Sequence, residues 1–173
     1  VGLLLCQWAK HLGACVIGCV GSEAKAELAR ANGCDHTILY RNDDIPSRVR
    51  EITGGEGVAA AYDSVGRDTF MASLDSLRPC GVMVSYGNAS GAVEPFNPAI
   101  LAPKGSLYVT RPTLATHIAT RALLEEGAAR LFSAVTDGLL HIQINQSYPL
   151  AETARAHRDL EARKTTGSTV LLA

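Results

Sequence analysis

The sequence carries no excess of one charge, no long apolar run and no paired-cysteine motif, and each absence removes a class of function. Sixteen Lys and Arg stand against seventeen Asp and Glu, a net charge of −1. A protein that neutralises many nucleic-acid phosphates needs a basic excess, so polyelectrolyte binding is not expected. A pocket for a single phosphate group needs only a few cations and stays open. No stretch reaches the roughly eighteen consecutive apolar residues of a membrane span. The opening Val1-Gly2-Leu3 has neither an initiator Met nor the basic segment of a secretory signal, and it reads as a chain entered part-way through an element. Five cysteines (Cys6, Cys15, Cys19, Cys34 and Cys80) include no Cys-x-x-Cys pair. An odd, scattered set fits reduced thiols in a cytoplasmic protein. Cys15 begins an apolar run, so the Cys15/Cys19 spacing is a poor zinc site and no metal is expected.

Familiar catalytic arrangements are also missing. Four residues after Tyr40, Tyr62, Tyr86, Tyr108 and Tyr148 stand Asp44, Gly66, Ser90, Pro112 and Glu152, so no Tyr-x-x-x-Lys pair exists. There is no G-x-S-x-G elbow, no H-E-x-x-H helix and no complete phosphate-binding G-x-x-x-x-G-K-[ST] loop. His11, His117 and His157 sit in or beside expected helices and read as surface or packing residues. Trp8, on the first helix, reads as core.

What is present is the make-up of a globular core: 173 residues, 47% hydrophobic and 19% charged. That length can bury a core without disulfides or metal. Apolar residues at 4, 5, 8, 9 and 12 form a helical stripe that ends at Gly13. Ala14 to Val20 is short and almost wholly apolar, as in a strand buried on both faces. Ser22 can cap a helix over Glu23–Asn32, and Gly33 ends it. His36–Tyr40 reads as a strand. Asp43 or Asp44 can cap a helix through Ile52, with Pro46 in its first turn. Val58–Tyr62 reads as a strand, Asp68–Leu77 as a helix stopped by Pro79 and Gly81, Val82–Tyr86 as a strand and Ser106–Thr110 as one more. Such alternation predicts α/β architecture, a doubly wound parallel sheet with right-handed crossovers. After Thr110 the rhythm changes. A long helix is expected from Ile118 to Thr136, then a helix from Ala151 to Arg163 and a strand over Ser168–Leu172. A boundary falls at Asp137-Gly138, giving a domain over 1–137 and a segment over 138–173.

In open α/β sheets, ligands sit outside the carboxyl ends of the strands. Gly21, Gly66 and Gly87 recur there, where a bare backbone would admit a flat or phosphate-bearing ligand or simply make a turn. Val1-Gly2 opens a helix as the last glycine of a dinucleotide turn would, with the first strand and earlier glycines absent. Sheets that prefer NAD end their second strand in an acid that holds the ribose diol. Here Gly21-Ser22 stands in that place, with Lys25 one turn on and Tyr40-Arg41 ending the neighbouring strand. A hydroxyl, an ammonium and a phenol suit a 2′-phosphate, hence NADPH. The alternative leaves Lys25 solvated and Tyr40 as a packing residue. A methyltransferase, which shares this sheet, would also call for an acid there.

Several strings together resemble a known family. Val1-Gly2 with Gly13-Ala14, Val20-Gly21-Ser22-x-x-Lys25, Ile52-Thr53-Gly54-Gly55, Tyr62-Asp63-Ser64-Val65-Gly66 and Ser85-Tyr86-Gly87-Asn88-x-Ser90-Gly91 are similar to the zeta-crystallin-like quinone oxidoreductases, within the medium-chain dehydrogenase/reductase superfamily. So are Lys104-Gly105-Ser106-Leu107, Tyr108-Val109-Thr110-Arg111-Pro112 and Ala156-His157-x-x-Leu160-Glu161-x-Arg163. The resemblance covers essentially the whole chain. It implies a zinc-independent enzyme that passes a hydride from NADPH to a quinone. It places Val1 against the pyrophosphate, and Gly21, Ser22, Lys25 and Tyr40 at the 2′-phosphate. Ser64 falls at the adenine ribose, and Tyr86, Gly87, Asn88 and Ala89 on the path to the nicotinamide. Val109, Thr110 and Arg111 border the amide, and Arg163 is a further contact. Gly167-Ser168 departs from the Gly-Lys of many members. The resemblance also implies a preceding catalytic domain that completes the quinone pocket, negligible turnover by these residues alone, and a homodimer paired through the strand at Leu107–Val109. An enone or aldehyde reductase, a zinc-dependent alcohol dehydrogenase and a non-catalytic NADPH-binding protein are the alternatives.

Overall fold

In the computed structural model, which describes residues 1–162 and 164–173, helices and strands alternate as the apolar pattern expects. The order is α1 (Gly2–His11), β1 (Ile17–Val20), α2 (Glu23–Ala31), β2 (His36–Leu39), α3 (Ile45–Ile52), β3 (Val58–Asp63), α4 (Phe70–Asp75) and β4 (Leu77–Ser85). There follow β5 (Tyr108–Thr110), α5 (Leu114–His117), α6 (Arg121–Thr136), β6 (Ile144–Pro149), α7 (Thr153–Glu161) and β7 (Ser168–Leu172). The chain divides into two units, residues 1–37 with 128–173, and residues 38–127.

In the first unit, α2 ends in a tight turn. The Gly33 N–H donates to the Arg30 carbonyl and the Cys34 N–H to that of Ala29. Gly33 takes φ +98°, a left-handed conformation that costs a glycine little. Gly13 stops α1 in the same way. The Asp35 and His36 N–H groups then reach the Val16 carbonyl and lead the chain in beside β1. Buried Asn32 binds this layer to the later part of the unit: its Oδ1 accepts from Gln7 Nε2 at 2.6 Å and from Gln143 Nε2 at 3.1 Å. Trp8 is half-exposed, not core. With Leu12, Ala134 and Leu139 it lines an open cleft of about 420 Å³. β6 and β7 pair in parallel, Tyr148 opposite Leu171, with α7 as their crossover.

The second unit holds a parallel sheet in the order β3-β4-β5. Phe70 and Leu74 from α4 meet Leu77 and Met83 from β4 and the adjacent Leu107 in a buried cluster. Each such side chain contributes roughly 1.5–3 kcal/mol on burial. Here the structure corrects one expectation. The helix expected to run to Leu77 stops at Asp75, and Leu77 already pairs with Val58 in β4. Its burial in the core outweighs the helical pattern. The register then jumps to Ala60 opposite Val82, so Arg78 to Gly81 loop out of the ladder, where Pro79 has no N–H to give. The helix expected over 118–136 is α6, which starts three residues later at Arg121, where Thr120 Oγ1 accepts the Leu123 N–H; the short α5 precedes it.

Candidate functional site

In the first unit the sequence singles out the amino ends of α1 and α2. Val1 is exposed, and its carbonyl accepts the Leu5 N–H. A Cβ at Gly2 would meet nothing within 4 Å among the described residues, so no packing contact there demands glycine. Ser22 is extended and exposed, and its side chain makes no capping hydrogen bond, which leaves the hydroxyl for another partner. Lys25 stands half-exposed one turn into the helix. The nearest acid, Glu23, accepts from Arg30 at 2.7 Å. Half-buried Gly21 precedes them.

The second unit builds its strand ends from two loops joined along their main chains. The Tyr86 N–H donates to the Asp63 carbonyl, Ala89 N–H to Ser64, Ser90 N–H to Val65 and Arg67 N–H to Gly91, at 2.8–3.2 Å. Gly66 and Gly87 serve this joint. A Cβ at Gly66 would lie 2.6 Å from the Gly91 carbonyl oxygen, and one at Gly87 2.8 Å from Ser64 Cα. The joint itself requires a bare backbone at both positions. Arg111 follows β5 and ties it in, with Nη1 donating to the Ser85 carbonyl at 2.9 Å and to that of Gly87 at 3.3 Å. Ser64, Tyr86, Gly87, Asn88, Ala89 and Arg111 therefore share one rim. Val109 and Thr110 sit on the adjoining strand, opposite Met83 and Val84. Tyr40 follows β2, half-exposed. Arg163 lies outside the described residues.

Sequence reasoning gave no role to Asp63, the organiser of this rim. It is 5% exposed. One carboxylate oxygen accepts the Val65 and Gly66 N–H groups at 2.7 and 3.0 Å; the other accepts Thr69 Oγ1 and Ser73 Oγ at 2.7 and 3.0 Å. The signal was an Asp followed two and three residues on by turn N–H groups, with hydroxyls a helical turn apart. The cysteines also depart from the scattered set expected. Cys6 and Cys34 bring their sulfurs to 3.2 Å, both as free thiols. His11, His117 and His157 are exposed, as expected. Among the described residues no group of three or more His, Cys, Asp or Glu is placed to hold a metal ion, and no helix is long and apolar enough to cross a membrane.

Parallel strands, helices whose amino ends stand at strand ends and a rim of tight main-chain loops define a Rossmann-like α/β fold. Residues 1–129 match the family described as zinc-binding dehydrogenase, and the chain belongs to it. Over 99% of its length it is 52% identical to the quinone oxidoreductase of Pseudomonas aeruginosa, covering 53% of that protein, and 48% identical to a 2-haloacrylate reductase of a Burkholderia species, covering 52%. It superposes along its whole length on a crystal structure of Escherichia coli quinone oxidoreductase complexed with NADPH, with a TM-score of 0.95 and 50% identity, covering 54% of that chain. The chain thus spans about half the length of the curated relatives it matches.

Proposed function

We propose that this chain is the nucleotide-binding part of an NADPH-dependent quinone reductase. The observation that carries the reading is the 52% identity to a quinone oxidoreductase across 99% of the chain. The residues fit the coenzyme. Gly21-Ser22 offers no carboxylate, Glu23 is engaged by Arg30, and the Ser22 hydroxyl is not spent on capping. Such an end repels a 2′-phosphate less than an acid would. In this reading Gly21, Ser22, Lys25 and Tyr40 hold the 2′-phosphate, and Val1 lies against the pyrophosphate. Ser64 meets the adenine ribose, and Tyr86, Gly87, Asn88 and Ala89 line the way to the nicotinamide. Val109, Thr110 and Arg111 border its amide, and Arg163 is a further contact. The bound coenzyme supplies a hydride, and the chain's part is to fix the ring against its acceptor.

Residues 1–137 form the coenzyme domain in this proposal, and 138–173 return to a catalytic domain. Edge strand β5, with Tyr108 exposed, supports a homodimer. The five free thiols support a cytoplasmic location. A second reading, reduction of an activated alkene, is favoured by the 48% identity to the 2-haloacrylate reductase. The test follows NADPH oxidation by the protein that carries this chain, with a panel of quinones and with 2-chloroacrylate. Faster turnover of quinones is expected. Turnover of the haloacrylate alone would replace the first reading with the second, and no oxidation with any acceptor would overturn both.

A further inference from the structure

Two sulfurs far apart in sequence meet in the first unit. Cys6 lies in the middle of α1 and Cys34 just past the end of α2, and their Sγ atoms are 3.2 Å apart. The contact is framed on both sides by residues one to four positions away. Gln7 donates to Asn32, and Lys10 pairs with Asp35. The Gly33 turn lies against α1 itself, where a Cβ would come 3.1 Å from Lys10 Cβ and 3.3 Å from the Cys6 carbonyl oxygen. On its far side the Cys34 sulfur rests over β1 at Gly18, where a Cβ would stand 2.8 Å from it. The sulfurs are thus held face to face by backbone packing.

We propose that Cys6 and Cys34 are a redox-responsive thiol pair that hydroperoxides convert to a disulfide, with Cys6 the attacking and Cys34 the resolving sulfur. The two side chains differ in the way these roles require. Cys6 is half-exposed, and Cys34 is 6% exposed. The Cys34 S–H donates to the Cys6 sulfur. That hydrogen bond brings the Cys6 thiol down to about 7, against the opposing effect of burial. The same bond, burial and the neighbouring Cys6, Asp35 and Cys19 push Cys34 up. The thiolate therefore forms on the sulfur that solvent can reach. Cys6 attacks one peroxide oxygen, the O–O bond breaks, and the other oxygen leaves as water or alcohol, so Cys6 becomes a sulfenic acid. Cys34 then displaces the sulfenic hydroxyl, which departs with the Cys34 proton as water. The two sulfurs give up two electrons in all, and the peroxide takes them. The sulfurs need close by only about 1.2 Å to reach a disulfide bond length.

The proposal stands apart from the nucleotide reading and needs no coenzyme. Its test treats the protein that carries this chain with an equivalent of hydrogen peroxide, then alkylates, digests and maps the peptides by mass. Expected are a linked Cys6–Cys34 peptide pair, a mass lower by ~2 Da and reversal by dithiothreitol. Cys34→Ser is expected to leave a sulfenic acid that dimedone traps on Cys6, and Cys6→Ser to leave Cys34 reduced. Full alkylation of both cysteines after peroxide would overturn the proposal. So would irreversible oxidation of Cys6, or a disulfide confined to Cys15, Cys19 or Cys80. The mapping of the unaltered protein decides even where a variant fails to fold.

Discussion

The backbone of Ser64 lies so close to Gly87 that a Cβ there would stand 2.8 Å from the Ser64 Cα and 2.9 Å from its carbonyl carbon. Gly87→Ala must therefore push two hydrogen-bonded loops apart. A loss of about 1–3 kcal/mol is expected, as for other overpacked sites. Urea denaturation checks it, and an unchanged midpoint would mean that the Ser64 loop gives way freely.

Asp63 receives two N–H and two O–H donors in a buried place. Asp63→Ala leaves them without their acceptor and is expected to cost about 2–4 kcal/mol. Asp63→Asn keeps one oxygen and should cost less. Hydrogen exchange at Val65 and Gly66 should quicken in both variants, and slow exchange there in Asp63→Ala would refute the assigned role.

Lys25→Ala tests the 2′-phosphate contact. Loss of a hydrogen bond to a charged group corresponds to a drop in NADPH affinity of roughly tenfold or more, with NADH affinity little changed. Fluorescence titration with both coenzymes gives the ratio. Equal losses for the two would remove Lys25 from the phosphate site.

A pH dependence follows from Lys10 and Asp35. The Asp35 carboxyl is held below its ordinary range by Lys10 first and by the Val16 N–H second, and Lys10 is raised in turn by Asp35. A depressed acid stabilises the fold above its unfolded pKa, and that share is lost as pH falls through the folded value, here below roughly pH 4. The raised amine contributes below its own unfolded pKa, and its share is lost as pH rises through the folded value. Melting temperatures from pH 6 down to pH 2 should thus fall less steeply in Asp35→Asn than in the unaltered protein. Lys10→Met should remove the larger part of the same slope.

The sequence made most element positions legible because apolar spacing and end residues agree there. Asp44 illustrates this: of the two caps open for α3, it accepts the Ser47 N–H, while Asp43 turns back to the Leu39 N–H. Leu77 shows where local pattern fails. Its helical spacing was outweighed by a place in a core shared with Met83 and Leu107, which lie later in the chain. The residues proposed to face a coenzyme came partly from the strand ends, as Gly21, Ser22, Lys25 and Tyr40 did, and otherwise from a resemblance. Asp63 was overlooked because its role appears only when its four donors fold around it. Cys6 and Cys34 escaped notice for a similar reason: nothing in either local string tells that α1 will lie across the end of α2.

The joined loops at 63–69 and 85–91 have one more consequence. Their contour is drawn by peptide groups and by glycines whose places have no ready room for a Cβ, while exposed Ser64, Asn88 and Ala89 are spared from holding it through their side chains. Mutational drift at those three positions can retune what a visiting molecule meets without reshaping the ledge on which it would rest.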